Sequence, residues 1–268
     1  MPAMAADGKP VLWHIPISHY SEKVRWALDY KGIEHERKTP SPPFHMLVAL
    51  AMTGGRHKTF PVLKLDGKRI GDSTAAIAAL EARYPEPSLY PADLEERRRA
   101  LELEDWFDEQ LGPQIRLFAW HEITHDRDRL EELAPKLGAF GSPGVAARGV
   151  RIFVNARFRV KSPAAAQAAR GKVVEALDRL EAELGGGEYL VGDRFTVADL
   201  TAAALFYPLV LPEGAPKLLE TLPAAVEEFR APLRERPGYR WVEETYRRHR
   251  NLGAARSGHP AEPVGAAA

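Results

Sequence analysis

The chain has no cysteine in its 268 residues. A disulfide framework, a thiolate metal site and a mechanism with the protein's own sulfur as nucleophile are therefore excluded. An excess of charge of either sign is also missing: Lys and Arg total 37, and Asp and Glu total 37. No net field favours nucleic acid, an acidic membrane surface or a polyanionic substrate, so the expected partner is small or weakly charged. Long apolar runs are absent too, and no window approaches the roughly 18 apolar residues of a membrane span. The opening "MPAMAADGKP" has no basic segment followed by an apolar run. No signal peptide is read there, and a soluble cytoplasmic protein is the expectation.

What the chain does have is an ordered succession of short elements. "VLWHI" (11 to 15) is a compact apolar run ended by Pro16 and reads as a buried strand. "SEKVRWALDYKG" (21 to 32) puts Val24, Ala27 and Leu28 at helical spacing and stops at Gly32. "IEHERK" (33 to 38) supplies a second strand, and "PPFHMLVALAMTGG" (42 to 55) a helical segment closed by two glycines. In "FPVLKLDGKRIGDS" (60 to 73), Asp66-Gly67 is a favoured two-residue hairpin turn. "STAAIAALEARYP" (73 to 85) follows as a helix with Ser73 as candidate N-cap. The order β-α-β-α-β-β-α describes a small sheet covered by helices.

From Asp93 onward only helical periodicity is found. A charged helix is predicted over 93–112, with an apolar stripe through Leu94, Leu101, Trp106 and Leu111. Further helices are predicted at 144–158, 164–184, 197–210, 216–230 and 238–249. The proline-rich "YPEPSLYPADLEE" (84 to 96) reads as a stiff linker. Two domains result, at 10–86 and 93–250, with flexible tails over 1–9 and 251–268.

Four motifs carry a resemblance. They are "SHYSEKVRWAL" (18 to 28), "TFPVL" (59 to 63), "GDSTAAI" (71 to 77) and "VGDRFTVADLTAAAL" (191 to 205). Together with the β-α layout they are similar to the cytosolic glutathione S-transferase superfamily, whose fold is α/β plus all-α. The resemblance implies a thioredoxin-like glutathione-binding domain followed by an all-helical domain. In the fourth motif Thr196 and Asp199 have capping-box spacing, and Phe195 with Leu200 forms a hydrophobic staple. That motif is a folding device and not a site.

The resemblance implies a serine-type active-site loop, with Ser18 and Ser21 where glutaredoxins place two cysteines. Ser18 is the expected activator of the glutathione thiol, with Tyr20 as rival and Ser21 turned inward. His14 and His19 are expected to be structural. Pro61 is the expected cis residue, and Val62 the residue exchanging main-chain hydrogen bonds with the cysteinyl unit. Asp72 and Ser73 are matched to the γ-glutamyl end, and Lys58 to the glycyl carboxylate, with His57 and Arg56 as substitutes. Trp106, Phe107, Phe118 and Trp120 are candidates for an apolar wall, and residues 157–161 and 234–250 are read as solvated basic faces. The implied function is transfer of glutathione, as co-substrate, to a small apolar electrophile, with no cofactor and with a homodimer as the assembly. A glutathione-dependent disulfide or peroxide reductase and a non-catalytic interaction protein are the alternatives.

One further motif stands apart. "WHEITHDRD" (120 to 128) holds H-E-x-x-H, the spacing of zinc proteases on a helix. A catalytic zinc needs a third ligand, yet Asp128 and Glu131 stand where the extended motif requires Gly and His. Zinc is therefore not expected, and the stretch is placed at the end of a solvated helix, with His121 or His125 as possible neighbours of the electrophile.

Overall fold

The computed structural model describes residues 8–40, 44–139, 141–217 and 219–250. Of the expected tails, residues 1–7 and 251–268 lie outside the described residues, as do position 41 and the first two positions, 42 and 43, of the second helical segment.

The first domain contains β1 (Val11–Trp13), α1 (His19–Tyr30), β2 (Glu36–Lys38), α2 (His45–Thr53), β3 (Val62–Leu65), β4 (Lys68–Gly71) and α3 (Ser73–Arg83). The sheet order is β2-β1-β3-β4. β1 pairs parallel with β2 and antiparallel with β3, and β3 pairs antiparallel with β4. The hairpin forms where its turn chemistry requires: Asp66 has φ 46° and Gly67 φ 75°, the two positive values of a type I′ turn. The Phe60-Pro61 bond is cis, as the resemblance implies, and so is Glu86-Pro87.

The rest is helical. α4 (Leu94–Trp106) runs through a π-helical turn (Phe107–Leu111) into α5 (Gly112–His125). There follow α6 (Arg127–Lys136), α7 (Pro143–Phe158), α8 (Pro163–Leu184), α9 (Val197–Val210), α10 (Ala224–Arg230) and α11 (Pro237–Thr245), which ends in a π turn at Tyr246–Arg250. α6 was not among the predicted helices. Its ten residues present only Leu130, Leu133 and Ala134 to the core, and Pro135 lies inside it. The helix predicted over 216–230 starts at Ala224, because the chain reaches α10 through Pro223. Leu94 does not belong to the apolar stripe: it is exposed, while Leu103 is buried.

One apolar core joins the two domains. Leu12, Val24, Leu28 and Leu63 of the sheet and α1 belong to the same cluster as Phe107, Leu111, Leu200 and Phe206. α9 is its centre, almost wholly buried, and begins with the expected capping box. Asp199 accepts from the amides of Leu190 and Thr196, each at 2.8 Å. Burial nonetheless pushes its carboxyl up to about 6.

Candidate active site

Ser18 is set by the loop that leaves β1. Its amide donates to the Ile15 carbonyl at 3.0 Å, and the preceding Ile17 carbonyl accepts from the Tyr207 hydroxyl of α9 at 2.5 Å. Both domains therefore fix this loop. Ser18 has φ −78° and ψ 121° and caps α1, its Oγ accepting from the Ser21 amide at 3.3 Å. A hydroxyl that accepts through its oxygen keeps its proton for another acceptor. Capping a helix and donating to an anion are thus compatible tasks of one side chain. Ser21 is buried, as expected, and accepts from the Ile15 amide at 3.3 Å.

Tyr20 is committed elsewhere. Its hydroxyl donates to the Asp108 carbonyl at 2.8 Å, and burial pushes it up to about 12. The space it occupies exists because residue 112 is glycine: a Cβ there would lie 2.1 Å from the Tyr20 hydroxyl oxygen. His19 stacks against Tyr20 with ring centroids 4.5 Å apart. Burial, followed by the Arg116 charge, lowers His19 to about 3, so its imidazole is neutral. His14 is lowered to about 2 by burial and the charge of Arg25, whose guanidinium meets its Nδ1 at 2.8 Å. Both histidines are structural at neutral pH.

Ser18, Tyr20, cis Pro61, Asp72 and Ser73 together line a cleft of about 490 Å³. That volume lies within the range of small-molecule sites. Four of the expected site residues and the rival tyrosine are thereby brought together. Asp72, and not Ser73, is the N-cap of α3: it sits at φ 81°, and its side chain accepts from the Ala75 amide at 3.1 Å. Ser73 is the first helical residue, buried, and lines the cleft.

Two expected site residues are elsewhere. Lys58 is exposed and outside the cleft lining, whereas its neighbour His57 contributes to it. Val62 is fully buried and paired in the sheet on both sides, with Trp13 of β1 and Gly71 of β4. Phe60, on the other side of Pro61, lines the cleft instead. β3 begins at Val62, so Phe60 stands outside the sheet pairing.

The helical wall is more polar than expected. Asp105, Asp108 and Glu109 line it, with Arg116 farther along. None of Trp106, Phe107, Phe118 and Trp120 lines the cleft; Phe107 and Phe118 are core residues, and the other two pack against core clusters. Below the wall Lys23 is fully buried and donates to Asp108 at 2.6 Å, Glu104 at 3.1 Å and Thr74 at 3.5 Å. This network ties α1, α3 and α4 together under the cleft floor. Spacing in the sequence does not reveal it, since Lys23 and Asp108 are 85 residues apart.

The H-E-x-x-H stretch is not a solvated helix end. His121 and Glu122 are buried, with the His121 Nδ1 2.6 Å from the Val160 carbonyl and Glu122 paired to Arg170 at 2.7 Å. His125 Nδ1 lies 2.7 Å from the His121 carbonyl. These groups hold α5 against the α7–α8 connection, and neither histidine lines the cleft. Among the described residues no cluster of His, Asp and Glu could hold a metal ion. The basic stretch 234–250 is also more than a solvated face, because Arg250 is buried between Glu22 and Asp29 of α1, at 2.6 and 2.7 Å.

Two family models match the chain: "Glutathione S-transferase, N-terminal domain" over residues 12–88 and "Glutathione S-transferase, C-terminal domain" over residues 163–238. Glutathione S-transferase TCHQD of Arabidopsis thaliana is 25% identical over 240 residues, 86% of this chain and 88% of its own. A probable maleylacetoacetate isomerase of Caenorhabditis elegans is 28% identical over 204 residues, 75% of this chain and 79% of its own. Among solved structures, maleylacetoacetate isomerase from Anaeromyxobacter dehalogenans superimposes with a TM-score of 0.59 at 21% identity, covering 97% of this chain and 98% of that one. Among the described residues no helix is long and apolar enough to cross a membrane. Matched in both of its domains and along most of its length, the chain belongs to the cytosolic glutathione S-transferase superfamily and is an enzyme of the glutathione transferase type.

Proposed function

We propose that the cleft binds glutathione and that the Ser18 hydroxyl stabilises its thiolate for attack on an electrophile. The observation that carries this reading is that Ser18, cis Pro61, Asp72 and Ser73 line one cleft, with the Ser18 proton uncommitted among the described residues. A free thiol has a pKa of about 8.5, and lowering it by about two units takes roughly 2.7 kcal/mol of preferential thiolate stabilisation. One hydrogen bond to a charged group contributes roughly 1.5 to 3 kcal/mol, and a helix N-terminus somewhat under 1. Ser18 at the start of α1 offers both.

The rest of the tripeptide fits the same frame. The γ-glutamyl carboxylate meets Ser73 and the N-terminus of α3, and its ammonium meets Asp72. The cysteinyl unit pairs with the backbone of Phe60, which replaces Val62 in this role. His57 replaces Lys58 as the group nearest the glycyl carboxylate. The sulfur lone pair forms the new bond to carbon, and the leaving group departs with the bonding pair. A homodimer belongs to the same reading.

Calorimetric titration with glutathione tests the binding step. Saturable heat at or below millimolar ligand is expected, and no heat at that concentration contradicts the reading. Turnover of a halogenated nitroarene, and not of a mixed disulfide, separates conjugation from the reductase alternative.

A further inference from the structure

Arg116 differs from the other shielded arginines of this protein. Arg25, Arg37, Arg170, Arg230, Arg236 and Arg250 each hold a carboxylate. Arg116 lines the cleft and, among the described residues, has no carboxylate and no hydrogen-bond partner. Its guanidinium lies near two aromatic rings, 5.9 Å from the Tyr20 centroid and 4.9 Å from that of Phe158. Burial lowers its pKa, with the nearby Arg157 adding to the effect and Tyr20 opposing it. Partial removal from water without an anionic partner is costly, and an incoming anion reverses that cost. The planar guanidinium fork, packed near two rings, is suited to a carboxylate.

The cleft is also polarised along the helical wall. Asp105 and Glu109 belong to the end nearer α4, and Asp108 there is neutralised by Lys23. From Asp105 to Arg116 the helix advances about 16 Å. The acidic end suits the ammonium of glutathione beside Asp72. Arg116 stands over the ring of Tyr20 and lines the same cleft as Ser18.

We propose that Arg116 receives a carboxylate carried by the electrophile, so that the second substrate is a small organic acid instead of a neutral apolar compound. This inference rests on the proposed binding of glutathione with its sulfur at Ser18. The glycyl carboxylate of glutathione is the competing occupant. With the γ-glutamyl end at Asp72 and Ser73 and the cysteinyl unit at Phe60, that carboxylate runs on toward Thr59 and His57, all in the first domain.

Two glutathione conjugates that differ in one group test the assignment: S-carboxyethyl-glutathione and its amide isostere, S-carbamoylethyl-glutathione. Calorimetry on the intact protein is expected to show the acid bound about tenfold or more tightly than the amide. In Arg116→Met the preference disappears while the affinity for glutathione itself holds, and Arg116→Lys keeps part of the preference. Equal affinity for the two conjugates in the unsubstituted protein overturns the proposal and leaves glutathione binding intact. A loss in Arg116→Met that is equal for glutathione, the acid and the amide overturns it in favour of the glycyl carboxylate. Absence of heat with glutathione alone removes the underlying reading and this inference with it.

Discussion

At the scale of single residues, Ser18 and Tyr20 are separated by what their hydroxyls already do. Ser18 accepts from Ser21 and keeps its proton, whereas Tyr20 gives its proton to the Asp108 carbonyl. Ser18→Ala is expected to lower kcat/KM about a hundredfold, the equivalent of roughly 2.7 kcal/mol, in an assay with a nitroarene electrophile. Tyr20→Phe leaves it within about threefold, a difference below 1 kcal/mol. Equal losses in the two variants contradict the assignment. The position of Ser18 was legible in the sequence because it is locally determined: a small hydroxyl residue between a strand and a helix. The choice against Tyr20 was not, since the partner that commits Tyr20 lies 88 residues away. That Val62 and Lys58 do not line the cleft was hidden for a related reason. Motif spacing locates the cis proline, but which of its neighbours is tied into the sheet is decided by the pairing of β3 on both edges.

At the scale of elements, the long helical wall is interrupted where the cleft needs it. The π turn at Phe107–Leu111 re-aims the chain and brings Gly112 against the Tyr20 hydroxyl. Gly112→Ala is expected to destabilise the protein by about 1 to 3 kcal/mol through overpacking, measured by urea unfolding. Combined with Tyr20→Ala, the same substitution is expected to cost less than the two single losses together, because the clash is removed. Strict additivity contradicts this account of the glycine. The hairpin, the capped start of α9 and the first helix were legible from local chemistry: a two-residue turn, a Thr–Asp pair, a strand followed by a small polar residue. The π turn and the short α6 were not, because neither carries a composition of its own. Their form is set by packing against α8, α9 and α7.

At the scale of the whole molecule, the domains are joined by a shared core and by buried charge. Arg250 from the last described turn sits between Glu22 and Asp29 of the first helix. Arg250→Ala leaves two buried carboxylates short of a cation and is expected to cost on the order of 3 kcal/mol in unfolding free energy. A loss below about 1 kcal/mol would show the pair to be solvated. Acid sensitivity follows from the buried titratable groups. His14 and His19 are lowered to about 2 and about 3, so the unfolded chain takes up two protons below about pH 6.5 that the folded chain refuses. Asp199, raised to about 6, works in the opposite direction and offsets one of them. Stability is therefore full near neutrality and falls by about 1 kcal/mol per pH unit between roughly pH 6 and pH 4. His19→Gln is expected to flatten that slope, as measured by urea unfolding at several pH values, and an unchanged slope contradicts the assignment. None of this was legible from a net charge of zero, which records how many charges there are and not which are buried together.

The central claim is that a serine hydroxyl at a helix start makes the glutathione sulfur anionic. Ultraviolet titration of the bound thiolate against pH, in the unsubstituted protein and in Ser18→Ala, measures this without reference to any electrophile. The account predicts a pKa of about 6.5 for the bound thiol and a rise of at least about one unit when Ser18 is removed. A bound thiol that titrates near 8.5, as free thiols do, or one whose pKa is the same in both proteins, would contradict it.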